Sequence, residues 1–162
     1  MTTVYIGIGS NIQRKKNIHT GVHALRKNFG QLRLSSVYDT VAIGFDGPPF
    51  FNLIATFKTQ LEVQQVCLIL DQIEKNTGEN TQAKNFRSRK LDLDIILFGN
   101  YISQDPKLNI PRNDIMEYAF ILEALAEMAP NLSHPILKKT YLELWQNYDK
   151  KHVYQKRINF DF

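Results

Sequence analysis

The sequence predicts an α+β domain in which helices pack on an antiparallel sheet, with further helices added at the C-terminal end. Three observations carry this. Segments with a two-residue apolar period alternate with segments of helical period. Their order is strand, helix, strand, and then strand, helix, strand again. Gly, Pro, Asn and Ser punctuate the boundaries between them. That order is the split βαβ-βαβ pattern of a ferredoxin-like domain, and residues 1–162 read as one such domain.

In Val4–Ser10, Val4, Ile6 and Ile8 alternate with Tyr5, Gly7 and Gly9, which marks a strand. Its glycines would let a ligand or another backbone approach one face closely. From Lys15 to Phe29 the residues Ile18, Val22, Leu25 and Phe29 recur at helical spacing, and Gly30 stops the run. Leu32–Tyr38 reads as a second strand. Gly44-Phe45-Asp46-Gly47-Pro48-Pro49 lacks periodicity and reads as a loop. Phe51–Gln60 is β-branched and aromatic, as in a strand. Glu62–Asn76 places Val63, Val66, Cys67, Leu70 and Ile73 on one helical face, and Thr77-Gly78 ends it. A polar, basic stretch leads to a strand at Leu91–Phe98, closed by Gly99-Asn100. A loop then runs through Pro106 and Pro111. A third helix is expected over Ile115–Met128 and a short fourth over Tyr141–Tyr148. The basic, then aromatic tail from Lys150 to Phe162 carries no readable pattern.

Composition narrows the class. The 162 residues are 43% apolar and 22% charged, as in a soluble globular domain. The single cysteine, Cys67, excludes an intramolecular disulfide and a cysteine-rich zinc site, so a cytoplasmic protein is expected. No stretch approaches the roughly 20 apolar residues of a membrane span. The net charge of +4 suits an anionic partner without choosing one. A nucleic-acid-binding module is disfavoured. The aromatic signature of RNA-recognition sheets is absent, and paired acids on a central strand would repel a phosphate backbone.

Those acids are the sharpest feature. In Arg89-Lys90-Leu91-Asp92-Leu93-Asp94-Ile95, Asp92 and Asp94 share one face of a strand while Leu91, Leu93 and Ile95 face a core. Two carboxylates so placed can converge on hard cations, which favour oxygen ligands and keep waters for phosphates to displace. A charged strand edge that discourages aggregation would look the same in isolation. Here Lys84, Arg87, Arg89 and Lys90 crowd just before the acids, and dicarboxylate plus cations is the equipment of phosphoryl transfer. Glu74, near the end of its helix, either backs the site or faces solvent. Phe50, Phe51 and Asn52, with Phe120 on the third helix, would suit a planar heterocycle, though the aromatics would serve ordinary core packing equally well. His19 and His23 lie one turn apart, but Thr20 replaces the glutamate of a His-Glu-x-x-His motif and no third ligand is evident.

The chain resembles the 6-hydroxymethyl-7,8-dihydropterin pyrophosphokinase family from about Val4 to Trp145. The resemblance lies in Gly9-Ser10-Asn11, Ser36-Val37-Tyr38-Asp39-Thr40, Phe51-Asn52, Ile73-Glu74, Arg89–Gly99, Leu108-Asn109-Ile110-Pro111, Phe120-Ile121-Leu122 and Met128-Ala129-Pro130. It implies transfer of pyrophosphate from ATP to the pterin hydroxymethyl group, with release of AMP, in folate biosynthesis. It also implies two Mg2+ ions between Asp92 and Asp94, and Arg89 on the transferring phosphates. Asn52 would pair with the pterin edge, helped by Thr40 and Ile43, with Phe50 and Phe120 near the ring. Residues 44–49 and 78–88 would form lids. The partners would be pterin and ATP, with no nucleic acid or membrane, and the protein a monomer.

The chain departs from the family pattern at Glu79, Thr81 and Tyr118, where the family usually has arginines, and at Arg112, where it usually has a histidine. Lys84, Arg87, Lys107 and Arg112 are the cations placed to grip the nucleotide instead, with Ile110 in the same contact set. The departures leave a second expectation beside the first: a diverged relative that binds pterin or nucleotide with weak, lost or altered catalysis.

Overall fold

The structure, a computed structural model, describes residues 1–78 and 88–162. Strand β1 (Thr2–Ser10) leads into helix α1 (Arg14–Phe29). Strands β2 (Arg33–Leu34), β3 (Val37–Thr40) and β4 (Phe50–Thr59) precede helix α2 (Val63–Thr77) and strand β5 (Asp92–Phe98). A hairpin of β6 (Ser103–Asp105) and β7 (Leu108–Ile110) follows. Helices α3 (Asp114–Glu117), α4 (Ala119–Met128) and α5 (Tyr141–Gln146) and strand β8 (Gln155–Ile158) complete the chain.

The main sheet runs β5-β1-β4-β3-β8, with β2 also on β4 and every pairing antiparallel. This is the expected ferredoxin-like arrangement, extended by one strand at each of two places: β2, where the predicted second strand splits, and β8. Alternation on the strands feeds two cores. Val4, Ile6 and Ile8 of β1, Leu53, Ala55 and Phe57 of β4, and Leu93 and Ile95 of β5 pack with Ile18, Val22, Leu25, Val66 and Leu70 of α1 and α2. On the other face Tyr5, Ile54 and Ile96 pack with Ile121, Leu122 and Leu125 of α4 and with Tyr141 and Leu144 of α5. Fully burying one such aliphatic side chain contributes about 1.5–3 kcal/mol, so the sheet is held from both sides.

The structure corrects several boundaries. The second strand breaks at Ser35-Ser36, where the Ser35 hydroxyl accepts from Ile54 N–H (2.8 Å) and donates to Ser36 O (2.8 Å), while Ser36 turns to Glu127. The third helix is two helices, because Tyr118 has extended backbone (φ −114°, ψ 110°). The loop through Pro106 holds the β6–β7 hairpin. The tail supplies β8, which lies along β3 and places Arg157 on Glu123 of α4 at 2.9 Å. The strand bearing Asp92 and Asp94 is not central: β5 is an edge of the sheet, partly covered where Arg112 N–H donates to Ile96 O (3.1 Å). A bulge opposite Tyr5 and Ile6 sends both Ile96 and Leu97 to the α4 side.

Candidate active site

Three strands converge on one row. Gly9 of β1 pairs with Asn52 of β4 on one side and Asp92 of β5 on the other, and Gly7 pairs with Asp94. Because alternate residues share a face, Asn52, Asp92 and Asp94 stand beside a β1 stripe with no side chains. A Cβ at Gly9 would meet Asn52 Oδ1 at 2.8 Å, so the glycine is what leaves the amide its room. What approaches the β1 glycines here is side chains, Asn52 at Gly9 and Ile96 at Gly7.

A cavity of about 110 Å³ opens over this floor. Its walls include Phe50, Asn52, Asp92, Asp94, Asp114, Tyr118 and Phe120. Asn52 Nδ2 donates to Thr40 Oγ1 on the neighbouring strand at 2.7 Å, which fixes the amide plane. Tyr118 and Phe120 stack at 5.9 Å with an interplanar angle of 11°. The extended residue Tyr118 thus turns the chain so that two rings, separated by one residue, overlie each other. A second cavity of about 360 Å³ shares Tyr118 and Phe120 and is lined by Thr40, Ile43 and the tail residues His152, Tyr154 and Gln155. Aromatic faces, an amide edge and carboxylates therefore meet in one place.

Asn11 ties Pro48 to the Ser88–Arg89 segment. This buried residue accepts from Arg89 N–H at 2.6 Å and gives its own N–H to Arg89 O at 3.0 Å. Its Nδ2 reaches Pro48 O (3.1 Å) and Ser88 Oγ (3.4 Å). One amide thus joins the ends of two loops and sets the backbone from which Arg89 projects.

The electrostatics are acid-rich. Burial raises Asp92, and the charge of Asp94 raises it further, against the pull of Arg89 and Arg112. Asp94 is raised by burial as well. Glu74, at the end of α2, accepts from Leu93 N–H at 3.3 Å and is pushed up to about 8 by burial and then by the charge of Asp92. Carboxylates held above their ordinary range, on one face and open to a cavity, form a donor set that a hard divalent cation would take. Among the described residues no group of three or more such ligands gathers, so Asp92 and Asp94 are the two oxygen donors the chain would offer an ion, with waters or phosphate oxygens completing its shell. Arg112 faces the same acids: Nη1 lies 3.4 Å from Asp94 Oδ1, while Nε and Nη2 lie 3.1 and 2.8 Å from Asp114 Oδ2.

Of the residues singled out in the sequence, Phe50, Asn52, Asp92, Asp94 and Phe120 line the first cavity, and Thr40 and Ile43 the second. Arg89 and Arg112 act on the acids from the rim. Lys107 is exposed at the turn of the β6–β7 hairpin, and the Ile110 side chain is buried in the core. Lys84 and Arg87, like Glu79 and Thr81, lie outside the described residues. Cys67 packs at the margin of the α1–α2 core, and His19 lies against Phe160 and Phe162. Sequence reasoning missed the anchoring by Asn11, the pairing of Asp114 with Arg112, and the tail residues beside Thr40. For Asn11 the Gly-Ser-Asn run was a usable signal; for the tail there was none.

Known proteins resemble this chain over most of its length. Residues 5–130 match the family described as 7,8-dihydro-6-hydroxymethylpterin-pyrophosphokinase. The 2-amino-4-hydroxy-6-hydroxymethyldihydropteridine pyrophosphokinase of Aquifex aeolicus is 31% identical over 145 residues, covering 88% of this chain and 90% of that one. The protein of the same name from Haemophilus influenzae is 32% identical over 139 residues, covering 83% and 86%. Among solved structures, the Plasmodium falciparum HPPK-DHPS A437G protein with pteroate superposes with a TM-score of 0.75 at 15% identity. The match covers 96% of this chain but only 46% of that longer one, and it speaks to the fold.

Proposed function

The chain belongs to the 7,8-dihydro-6-hydroxymethylpterin-pyrophosphokinase family, and from that membership we propose that it transfers pyrophosphate from ATP to the hydroxymethyl group of 6-hydroxymethyl-7,8-dihydropterin, releasing AMP, in folate biosynthesis. The observation that carries the reading is the single row Asn52–Gly9–Asp92, which sets an amide for a heterocycle edge beside carboxylates for a metal–phosphate group.

In this reading Asn52, oriented by Thr40, pairs with the pterin edge, and the ring lies against Phe50 and Phe120. Ile43, exposed at the mouth of the second cavity, closes over it. Asp92 and Asp94 would hold two magnesium ions, which when bound supply neutralisation of phosphate charge and acidify the acceptor alcohol. Arg89 and Arg112 offer guanidinium donors to the oxygens that gain charge as the α–β bond of ATP breaks. Lys84, Arg87, Lys107 and the backbone at Ile110 complete the proposed nucleotide grip. The segment 44–49 covers the acceptor side, where Phe45 meets Phe50 edge to face at 6.4 Å. Covering it keeps water from competing with the alcohol. The reading takes the protein as a cytoplasmic monomer acting on small molecules. Among the described residues no helix is long and apolar enough to cross a membrane.

The test is AMP release from ATP with magnesium, with and without the dihydropterin. Pterin-dependent AMP is expected, and Asp94→Ala should lower it by at least about 10³-fold, the scale of losing a principal source of transition-state charge stabilisation. A folded D94A protein that keeps magnesium-dependent turnover would remove the metal assignment.

A further inference from the structure

Arg112 is held unequally by two acids. Its Nε and Nη2 both reach Asp114 Oδ2, at 3.1 and 2.8 Å, whereas Nη1 makes a single long contact of 3.4 Å with Asp94 Oδ1. Asp114 is the first residue of α3, only two positions away, and the Arg112 main chain is pinned to β5 through Ile96 O. The guanidinium therefore has one firm anchor and one weak, exchangeable partner. The Asp94 side chain keeps 37% of its surface accessible and that of Arg112 32%, so the weaker contact sits at the cavity rim, where other groups can reach it. A charge-assisted bond of 3.4 Å is well beyond the 2.7–2.9 Å of a strong one.

Resting on the reading above, we infer that Arg112 is an exchange residue. It neutralises Asp94 until a divalent cation takes that carboxylate, and the released Nη1, with Asp114 still holding the other side of the fork, then turns to the nucleotide phosphates. Arg112 thus competes with the metal at Asp94 and cooperates with it once the nucleotide is present. Asp114 acts through Arg112 as a positioning residue. The planar fork allows this division of labour, because its donors are fixed on separate edges that point at two partners.

The assignment makes two predictions of opposite sign for one substitution. Binding of Mn2+ alone, followed by electron paramagnetic resonance, should tighten about threefold to fivefold in Arg112→Gln, the range set by loss of a partly exposed ion pair. Binding of α,β-methylene-ATP at saturating Mg2+, followed by calorimetry, should weaken about tenfold in the same variant, the scale of one lost charged hydrogen bond. Asp114→Ala separates an anchor from a mere electric field. A field effect would tighten the anionic nucleotide when a nearby negative charge is removed; loss of the anchor weakens it, by about threefold or more. Unchanged or weaker Mn2+ binding in R112Q, or tighter nucleotide binding in D114A, overturns the inference while leaving the pyrophosphokinase reading in place. If neither wild type nor R112Q binds Mn2+, the metal site at Asp92 and Asp94 fails, and the inference with it.

Discussion

Gly9 separates an amide from a carboxylate by having no side chain. Gly9→Ala would set its Cβ 2.8 Å from Asn52 Oδ1, so the amide must leave Thr40 or the strands must part. The expected outcome is a loss of about 1–3 kcal/mol in denaturant unfolding, the usual cost of overpacking. Steady-state kinetics should show KM rising more for the pterin than for ATP. Glu74 gives a pH signature. Its ordinary value of 4.5 is raised to about 8 in the fold, so between those values the folded chain keeps a proton that the unfolded chain releases. Stability must therefore fall as pH rises through that window, and the raised Asp92 and Asp94 add to the fall with the same sign. Thermal melts from pH 5 to 8 should show this decline, flattened in Glu74→Gln and opposed by saturating magnesium. At this scale the sequence was a good guide where chemistry follows spacing: Asp92 and Asp94 are two apart on a strand, and the fold can only place them together. It singled out Arg112 but was silent on its pairing with Asp114, because that pairing depends on how the segment after Pro111 turns back along β5.

Elements explain what single residues do not. The break at Tyr118 was illegible because Ile115, Ile121, Leu122 and Leu125 continue a plausible helical stripe across it. Only the need to bury Ile115 and still stack Tyr118 on Phe120 favours two helices. Strand β8 was hidden because Gln155-Lys156-Arg157-Ile158 has no apolar alternation. It is held by the β3 ladder, by Arg157 on Glu123 and by Ile158, which packs half-buried against the α1–α2 core. One buried side chain ties the end of segment 44–49 to Ser88 and Arg89. Asn11→Ala would strip the partner from Arg89 N–H and remove the contacts to Pro48 O and Ser88 Oγ together. A loss of about 2 kcal/mol is expected, on the scale of a buried polar group left unsatisfied. Urea unfolding measures that loss, and kinetics should show KM rising for both substrates.

Across the whole molecule the sheet is a divider. One face, closed by α1 and α2, is structural, while the other is covered by α4 and α5 only in part and keeps its uncovered end for chemistry. The overall architecture was legible because each buried strand writes its period plainly; the coverage of that second face was not, since it comes from short helices and a tail. Removing residues 155–162 would bare the edge of β3 and take the Phe160 ring away from Phe51 and His19. The truncated chain should melt lower and show concentration-dependent association in light scattering, as exposed strand edges do. The same tail matters for inhibitor design. The second cavity places His152 and Tyr154 beside Phe120, outside residues 5–130 that match the family model. A compound grown from a pterin-like ring past Phe120 would meet these tail side chains, so its affinity would depend on the tail as well as on the ring site.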